Sequence, residues 1–217
     1  MRIDLKLYGA VRAIFKLFAI VGVFAAAPAM AADKFVLAFG DSLTAGYGLK
    51  PGEGFAPQLE AALRRSGTPA RVYNAGVSGD TTAQGRARLG FVLGTLKAKP
   101  DLVILQLGAN DMLRAIDPAQ TEANLNAMLT ELKKRGIPVL IAGMLATPNL
   151  GKAYQARFDP IYPKLARSYR APLYPFFMRG VAGNRTLQLS DGLHPTAKGV
   201  GVIVTGILPQ VKAALAR

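Results

Sequence analysis

The sequence predicts an α/β fold, a three-layer α/β/α sandwich around a doubly wound, flavodoxin-like parallel sheet of about five strands. Three observations lead there. Short aliphatic or β-branched runs at 35–39, 71–74, 102–107 and 137–142 alternate with helical patterns at about 55–66, 82–97 and 120–135. That alternation implies parallel pairing, because each parallel return needs a crossover. Runs such as Leu102-Val-Ile-Leu-Gln-Leu107 are apolar almost throughout, which suits strands covered on both faces. Finally, the small polar residues Ser42, Gly79 and Asn110 follow the first three runs, at the edge where open α/β sheets bind ligands.

Taken in order, the chain begins with a segment of different composition. Arg2, Lys6, Arg12 and Lys16 accompany an apolar core from Leu17 to Ala27, and Ala29-Met-Ala31 has the small-x-small form of a cleavage site. This describes a secretory signal peptide over 1–31, removed near Ala31, with residues 32–217 as a single domain. The eleven-residue apolar core is too short to span a bilayer, which takes ~20 residues. The first strand, Phe35–Phe39, runs into Gly40-Asp-Ser42, and Ser42 stands where a strand opens onto a helix start. The second strand, Arg71–Asn74, leads to Gly79, and the third, Leu102–Leu107, to Asn110-Asp111. Past the fourth strand, Ile137–Ala142, a loop from Leu145 to Tyr154 carries Pro148 and Leu150 and reads as an acyl-chain wall. A last strand near Pro172–Tyr174 precedes Ser190-Asp-Gly-Leu-His-Pro195, and a closing helix is expected over 195–214, with Pro195 in its first turn.

Composition narrows the chemistry. The chain has 27 Lys and Arg against 13 Asp and Glu, a formal charge of +14, which falls to +11 when residues 1–31, with four basic residues and one acid, are removed. Such a balance favours anionic partners, including transient contact with an anionic membrane surface. The cations are scattered. Lys133-Lys-Arg135 is the only run of three and ends a predicted helix, where cations suit the dipole. No basic stripe with interleaved aromatics exists, so nucleic-acid binding is not expected. There is no cysteine, which excludes disulfides, thiolate nucleophiles and Cys-based metal sites, and a single histidine argues against a histidine-rich metal centre. Neither a metal nor an organic cofactor is expected.

That histidine, His194, stands three residues after Asp191, so one short loop offers a base and a carboxylate to orient it. Acyl transfer needs a nucleophile, a base that takes and returns one proton, and donors around the oxygen that becomes negative. Ser42 Oγ suits the first role, His194 the second and Asp191 the orienting role. The backbone N–H groups of Ser42 and Gly79 and the side-chain amide of Asn110 suit the oxyanion hole. Asp41 and Asp111 are assigned to support of the site. Each of these residues, viewed alone, is ordinary cap or turn chemistry. Their convergence on one sheet edge with the sole histidine is what selects catalysis.

Four stretches carry a family resemblance: Phe39-Gly-Asp-Ser-Leu-Thr-Ala-Gly-Tyr-Gly48, Asn74-Ala-Gly-Val-Ser-Gly-Asp-Thr81, Leu107-Gly-Ala-Asn-Asp111 and Asp191-Gly-Leu-His194. In that order they resemble the blocks of the GDSL, or SGNH, hydrolases. Tyr162-Pro-Lys-Leu-Ala166, Pro172-Leu-Tyr-Pro-Phe-Phe177 and Gln84-Gly-Arg-Ala-Arg-Leu89 look like the periplasmic thioesterase I, arylesterase and lysophospholipase subgroup. The resemblance implies the same roles at Ser42, Gly79, Asn110, Asp191 and His194, and an acyl pocket lined by the 145–154 region. It also implies a periplasmic or secreted serine esterase acting on small-molecule or lipid esters: aryl and short- to medium-chain acyl esters, acyl-thioesters and lysophospholipids. A glycan-deacetylating esterase would use the same residues but wants aromatic platforms, and the chain has no Trp. A non-enzymatic lipid- or anion-binding module would have lost the nucleophile or base, yet all parts are present. The oligomeric state is not legible.

Overall fold

The structure, a computed structural model, describes residues 33–217; the signal peptide expected over 1–31 lies outside the described residues. In chain order the elements are β1 (Lys34–Gly40), α1 (Ser42–Ala45), α2 (Phe55–Arg65), β2 (Ala70–Gly76), α3 (Thr82–Thr95), β3 (Leu102–Gln106), α4 (Ala109–Leu113), α5 (Pro118–Lys134), β4 (Val139–Ala142), α6 (Gly151–Phe158), α7 (Ile161–Tyr169), β5 (Leu173–Tyr174) and α8 (Ala197–Leu215). A 3-10 turn at Pro148–Leu150 precedes α6.

The five strands form one sheet in the order β2-β1-β3-β4-β5, and every neighbouring pair is parallel. After β2 the chain returns across β1 to place β3 on its other side, so the strand order reverses between β1 and β3. Crevices open at such a switch point. The central strands are apolar because both faces are covered: all five residues of β3 and six of seven in β1 are buried, whereas edge strand β2 alternates. Helices α2 and α8 pack on each other over one face, and α3 packs on α5 over the other, with α7 against α5, β4 and β5. Helix α8 buries Val200, Ile203, Val204, Ile207 and Val211 along one stripe. Each such side chain contributes roughly 1.5–3 kcal/mol of transfer free energy.

The expected fold class holds, and the departures are local. Strand β4 begins at Val139 rather than Ile137, because Pro138 has no N–H; its carbonyl alone joins the ladder, accepting from Val103 N–H at 2.9 Å. Helix α8 starts at Ala197, not Pro195. Pro195 instead pairs with Gln188 in an antiparallel bridge, and Thr196 caps the helix by accepting from Gly199 N–H at 3.2 Å. Helices α6 and α7 were not expected. Pro163 stands in the first turn of α7, where no intrahelical donor is lost.

Candidate active site

Strand β1 ends in a turn that the sequence leaves little freedom to alter. A Cβ on Gly40 would come within 2.1 Å of Thr44 Oγ1, and one on Gly76 within 2.3 Å of the Ala45 nitrogen, so both strand ends must be bare for α1 to fold back over them. Asp41 caps α1 by accepting from Leu43 N–H at 3.0 Å, which makes Ser42 the first residue of that helix. Below the turn, Gln106 at the end of β3 accepts from Thr44 Oγ1 at 2.7 Å and donates from Nε2 to Asp41 Oδ2 at 3.2 Å. Asp41 is fully buried, and this desolvation pushes its carboxyl up to about 7, against the bonds from Leu43 N–H and Gln106. The sequence offered Asp41 as either a cap or site support; it is the cap that orients the Ser42 turn.

The histidine arrives from the far end of the chain. Residues 187–196 fold into a narrow hairpin: Leu189 N–H donates to His194 O, and Thr196 N–H to Leu187 O, both at 2.8 Å. At its tip Gly192 takes a left-handed φ of 68°, which suits a residue without Cβ. Asp191 Oδ1 accepts from the N–H groups of Leu193 at 2.8 Å and His194 at 3.0 Å. Its Oδ2 lies 2.6 Å from His194 Nδ1, while His194 Nε2 lies 2.8 Å from Ser42 Oγ. An ionised Asp191 requires the proton on Nδ1, which leaves the Nε2 lone pair facing the serine hydroxyl. Partial burial raises the Asp191 carboxyl, but the backbone bonds from His194 and Leu193, followed by the imidazole, outweigh it and hold the group at about 2. The Tyr47 ring covers the imidazole at 4.5 Å between centroids.

The third component is the loop from Val77 to Thr81. Val77 N–H donates to Gly40 O at 3.0 Å, and Thr81 and Gln84 form a capping box that starts α3. Arg88 on α3 donates to Asp80 Oδ2 at 2.5 Å and to Gly40 O at 2.8 Å, with its guanidinium 4.0 Å over the Phe39 ring. Asn110 Nδ2 donates to Asp80 O at 3.0 Å, which uses one amide hydrogen and leaves the other for the cleft. Gly79 holds a φ of 87°, with its carbonyl accepting from Arg114 at 3.0 Å. Neither the Ser42 nor the Gly79 backbone N–H donates to an acceptor among the described residues. Asp111, also buried, accepts from Thr82 N–H at 2.8 Å, from the Thr82 hydroxyl and from Thr121 Oγ1 at 3.1 Å, so it ties α3, α4 and α5 together beneath the site.

A cleft of about 400 Å³ joins these parts, bordered by Ser42, Gly79, Asn110 and His194 and otherwise mostly apolar. Its apolar lining comes from Met112, Met144, Leu145, Phe176, Met178 and Leu193. The expected wall at 145–154 is corrected here. Leu145 lines the cleft, but Pro148, Leu150 and Tyr154 do not, because the 3-10 turn and α6 carry them away. The Tyr154 hydroxyl donates to Ile116 O at 2.9 Å, and its ring stacks on Phe158 at 5.7 Å. Tyr47, Met144, Phe176 and Met178 were missed by sequence reasoning. Met144 was within reach, since it follows a strand at the same edge as Ser42 and Asn110. Among the described residues no three His, Asp or Glu side chains gather as a metal site.

Residues 38–202 match the model of the GDSL-like lipase/acylhydrolase family. The chain belongs to that family. It is an enzyme, a hydrolase of carboxylic esters. Among its relatives, esterase TesA of Pseudomonas aeruginosa is 37% identical over 185 residues, covering 85% of this chain and 91% of that protein. The Escherichia coli protein named thioesterase 1/protease 1/lysophospholipase L1 is 37% identical over 167 residues, 77% of each chain. Among solved structures, AlinE4, described as an SGNH-hydrolase family esterase, superposes with a TM-score of 0.74 at 51% identity, covering 86% of this chain and 98% of that one.

Proposed function

We propose that the protein is an exported serine esterase that works through an acyl-enzyme intermediate. The observation that carries this reading is the unbroken relay from Asp191 Oδ2 through both imidazole nitrogens to Ser42 Oγ, at 2.6 Å and 2.8 Å. Ser42 Oγ attacks the acyl carbon while its proton passes to His194 Nε2, and Asp191 stabilises the imidazolium that forms. The carbonyl oxygen gains the negative charge and meets the N–H groups of Ser42 and Gly79 and the remaining amide hydrogen of Asn110. Donors fixed before the reaction need no reorganisation when that charge appears. Collapse of the intermediate expels the alcohol or thiol, which takes the proton from His194. Water then repeats the sequence on the acyl-serine and releases the acid.

The apolar cleft supports a substrate class of aryl esters, short- to medium-chain acyl esters and acyl-thioesters, with lysophospholipids at its upper end. The names of the relatives, esterase and thioesterase/lysophospholipase, point the same way. A groove open at its mouth separates each methylene by only ~1–3 kcal/mol, so turnover should change gradually with chain length. The test is hydrolysis of p-nitrophenyl esters of increasing acyl length by the purified protein, beside Ser42→Ala and His194→Ala forms checked for folding by circular dichroism. The parent should turn over short and medium chains, and each variant should lose roughly 10⁴–10⁶-fold. A fully active Ser42→Ala form would end the proposal.

A further inference from the structure

Seven large hydrophobic side chains are well exposed among the described residues, and five of them, Tyr47, Val77, Leu113, Leu145 and Leu193, lie at the carboxyl edge of the sheet. Four of the five border the cleft, with 41% to 53% of their surface exposed. An acyl chain inside the cleft needs the lining, but it does not need apolar side chains held this far out in water. Scattered exposed hydrophobics are ordinary, whereas a group around one opening marks a contact surface. The same loops and helix starts carry exposed cations. Lys50 follows Tyr47 by three residues, Arg114 adjoins Leu113, Lys152 opens α6, and Arg185 lies two residues beyond Gly183. None of these four forms an ion pair with a described residue. Of the acids nearby, Asp117 pairs with Arg157 and Asp80 with Arg88, whereas Asp191 faces the His194 ring, half-buried Glu53 accepts from Lys50 N–H at 3.0 Å and Asp159 accepts from Ala146 N–H at 2.8 Å. Apolar side chains around one opening, with exposed cations that form no ion pair on the adjoining loops and helix starts, fit a protein that sits in the head-group layer of anionic lipid.

We propose that the cleft edge docks on an anionic phospholipid surface. Leu113, Leu145 and Leu193 enter the boundary of the acyl region, and Lys50, Arg114, Lys152 and Arg185 face the lipid phosphates. Docked this way, the protein takes an ester from the lipid layer into the cleft without an aqueous passage for its acyl chain. That consequence rests on the esterase reading above, while the docking itself does not. A second basic area, with Lys97, Lys99, Lys133, Arg170 and Arg217 around two hollows at the opposite edge of the sheet, is the competing electrostatic surface and serves as the control.

The test is co-sedimentation of the purified protein with vesicles of phosphatidylglycerol and phosphatidylcholine, against vesicles of phosphatidylcholine alone. The parent should prefer the anionic vesicles by at least about ten-fold, as several cations near such a surface each add attraction. The combined K50E, K152E and R185E form should lose that preference and keep its turnover of soluble p-nitrophenyl acetate within about two-fold of the parent. Equal partition of the parent between the two vesicle types would overturn the proposal. So would loss of binding in a K133E and R170E form while the rim variant still binds. A protein that hydrolyses the soluble ester but ignores vesicles sinks the docking alone, whereas one that binds vesicles through the rim and hydrolyses no ester sinks the catalytic reading alone.

Discussion

All eight buried polar or charged side chains among the described residues, from Asp41 and Thr44 on the Ser42 turn to Gln106, Asp111 and Thr121, belong to the carboxyl edge of the sheet. The amino edge closes with short turns and buries apolar groups only, among them Leu102, Leu129 and Ile137. A buried polar group costs about 1–3 kcal/mol if it loses its partner. Here no buried side-chain polar atom among the described residues lacks one. The carboxyl edge therefore spends hydrogen bonds on holding three loops in register, and the amino edge supplies stability through packing. Substitutions at the two ends should separate along the same line, with function lost at one and stability at the other.

Of the three substitutions that probe this contrast, the largest effect is expected at Asp191. Asp191→Asn keeps an oxygen for the N–H groups of Leu193 and His194 but turns an N–H toward His194 Nδ1, which selects the tautomer with its proton on Nε2. That proton blocks acceptance from Ser42. Turnover should fall by about 10⁴ with little change in melting temperature or KM. A variant within ten-fold of the parent would show that the carboxylate does not orient the base.

Asp41 blurs the comparison usefully, because it is a buried carboxyl at the functional edge. Its folded value of about 7 lies above the ordinary 3.8, so burial favours the protonated form. The contribution of that form is fully present below about pH 4 and is lost as pH rises through about 7. Asp41→Asn removes the dependence. Between pH 4 and pH 8 the stability of the variant relative to the parent should improve by on the order of 4 kcal/mol, read from urea unfolding at each pH. Parallel pH profiles for the two proteins would mean that Asp41 stays ionised throughout.

The fold and the residues that meet at the candidate site were legible for the same reason. Near-continuous apolar runs such as 102–107 identify covered strands, and small polar residues just past their ends identify the edge where loops meet. A lone histidine three residues from a carboxylate then leaves little choice of base. The cleft wall was harder to read because its lining comes from several separate segments: Met112 on α4, Met144 after β4, and Phe176 and Met178 after β5. Apolar side chains in loops carry no periodicity, so nothing local distinguishes Phe176 at the cleft from Phe177 in the core. Tyr154 misled for the opposite reason: its loop-like surroundings hid helix α6, on which its ring stacks against Phe158 one turn on, and only the tertiary bond to Ile116 O shows where it goes.

The smallest effect sharpens the contrast from the amino edge. Leu129 on α5 is 2% exposed and borders the hollow beside Tyr169 and Ala214, far along its helix from the end that Asp117 caps. Leu129→Ala removes packed methyl groups, which in a closed core costs about 2–5 kcal/mol. An adjoining hollow lets neighbours relax and water enter, so a loss near the lower limit, about 2 kcal/mol, is expected from denaturant unfolding. Leu129 is not part of the cleft lining, so kcat/KM of the folded fraction should stay within about two-fold of the parent. A large drop in kcat/KM with unchanged stability would show that the two edges are coupled through α5, whose first turn holds Thr121 against Asp111.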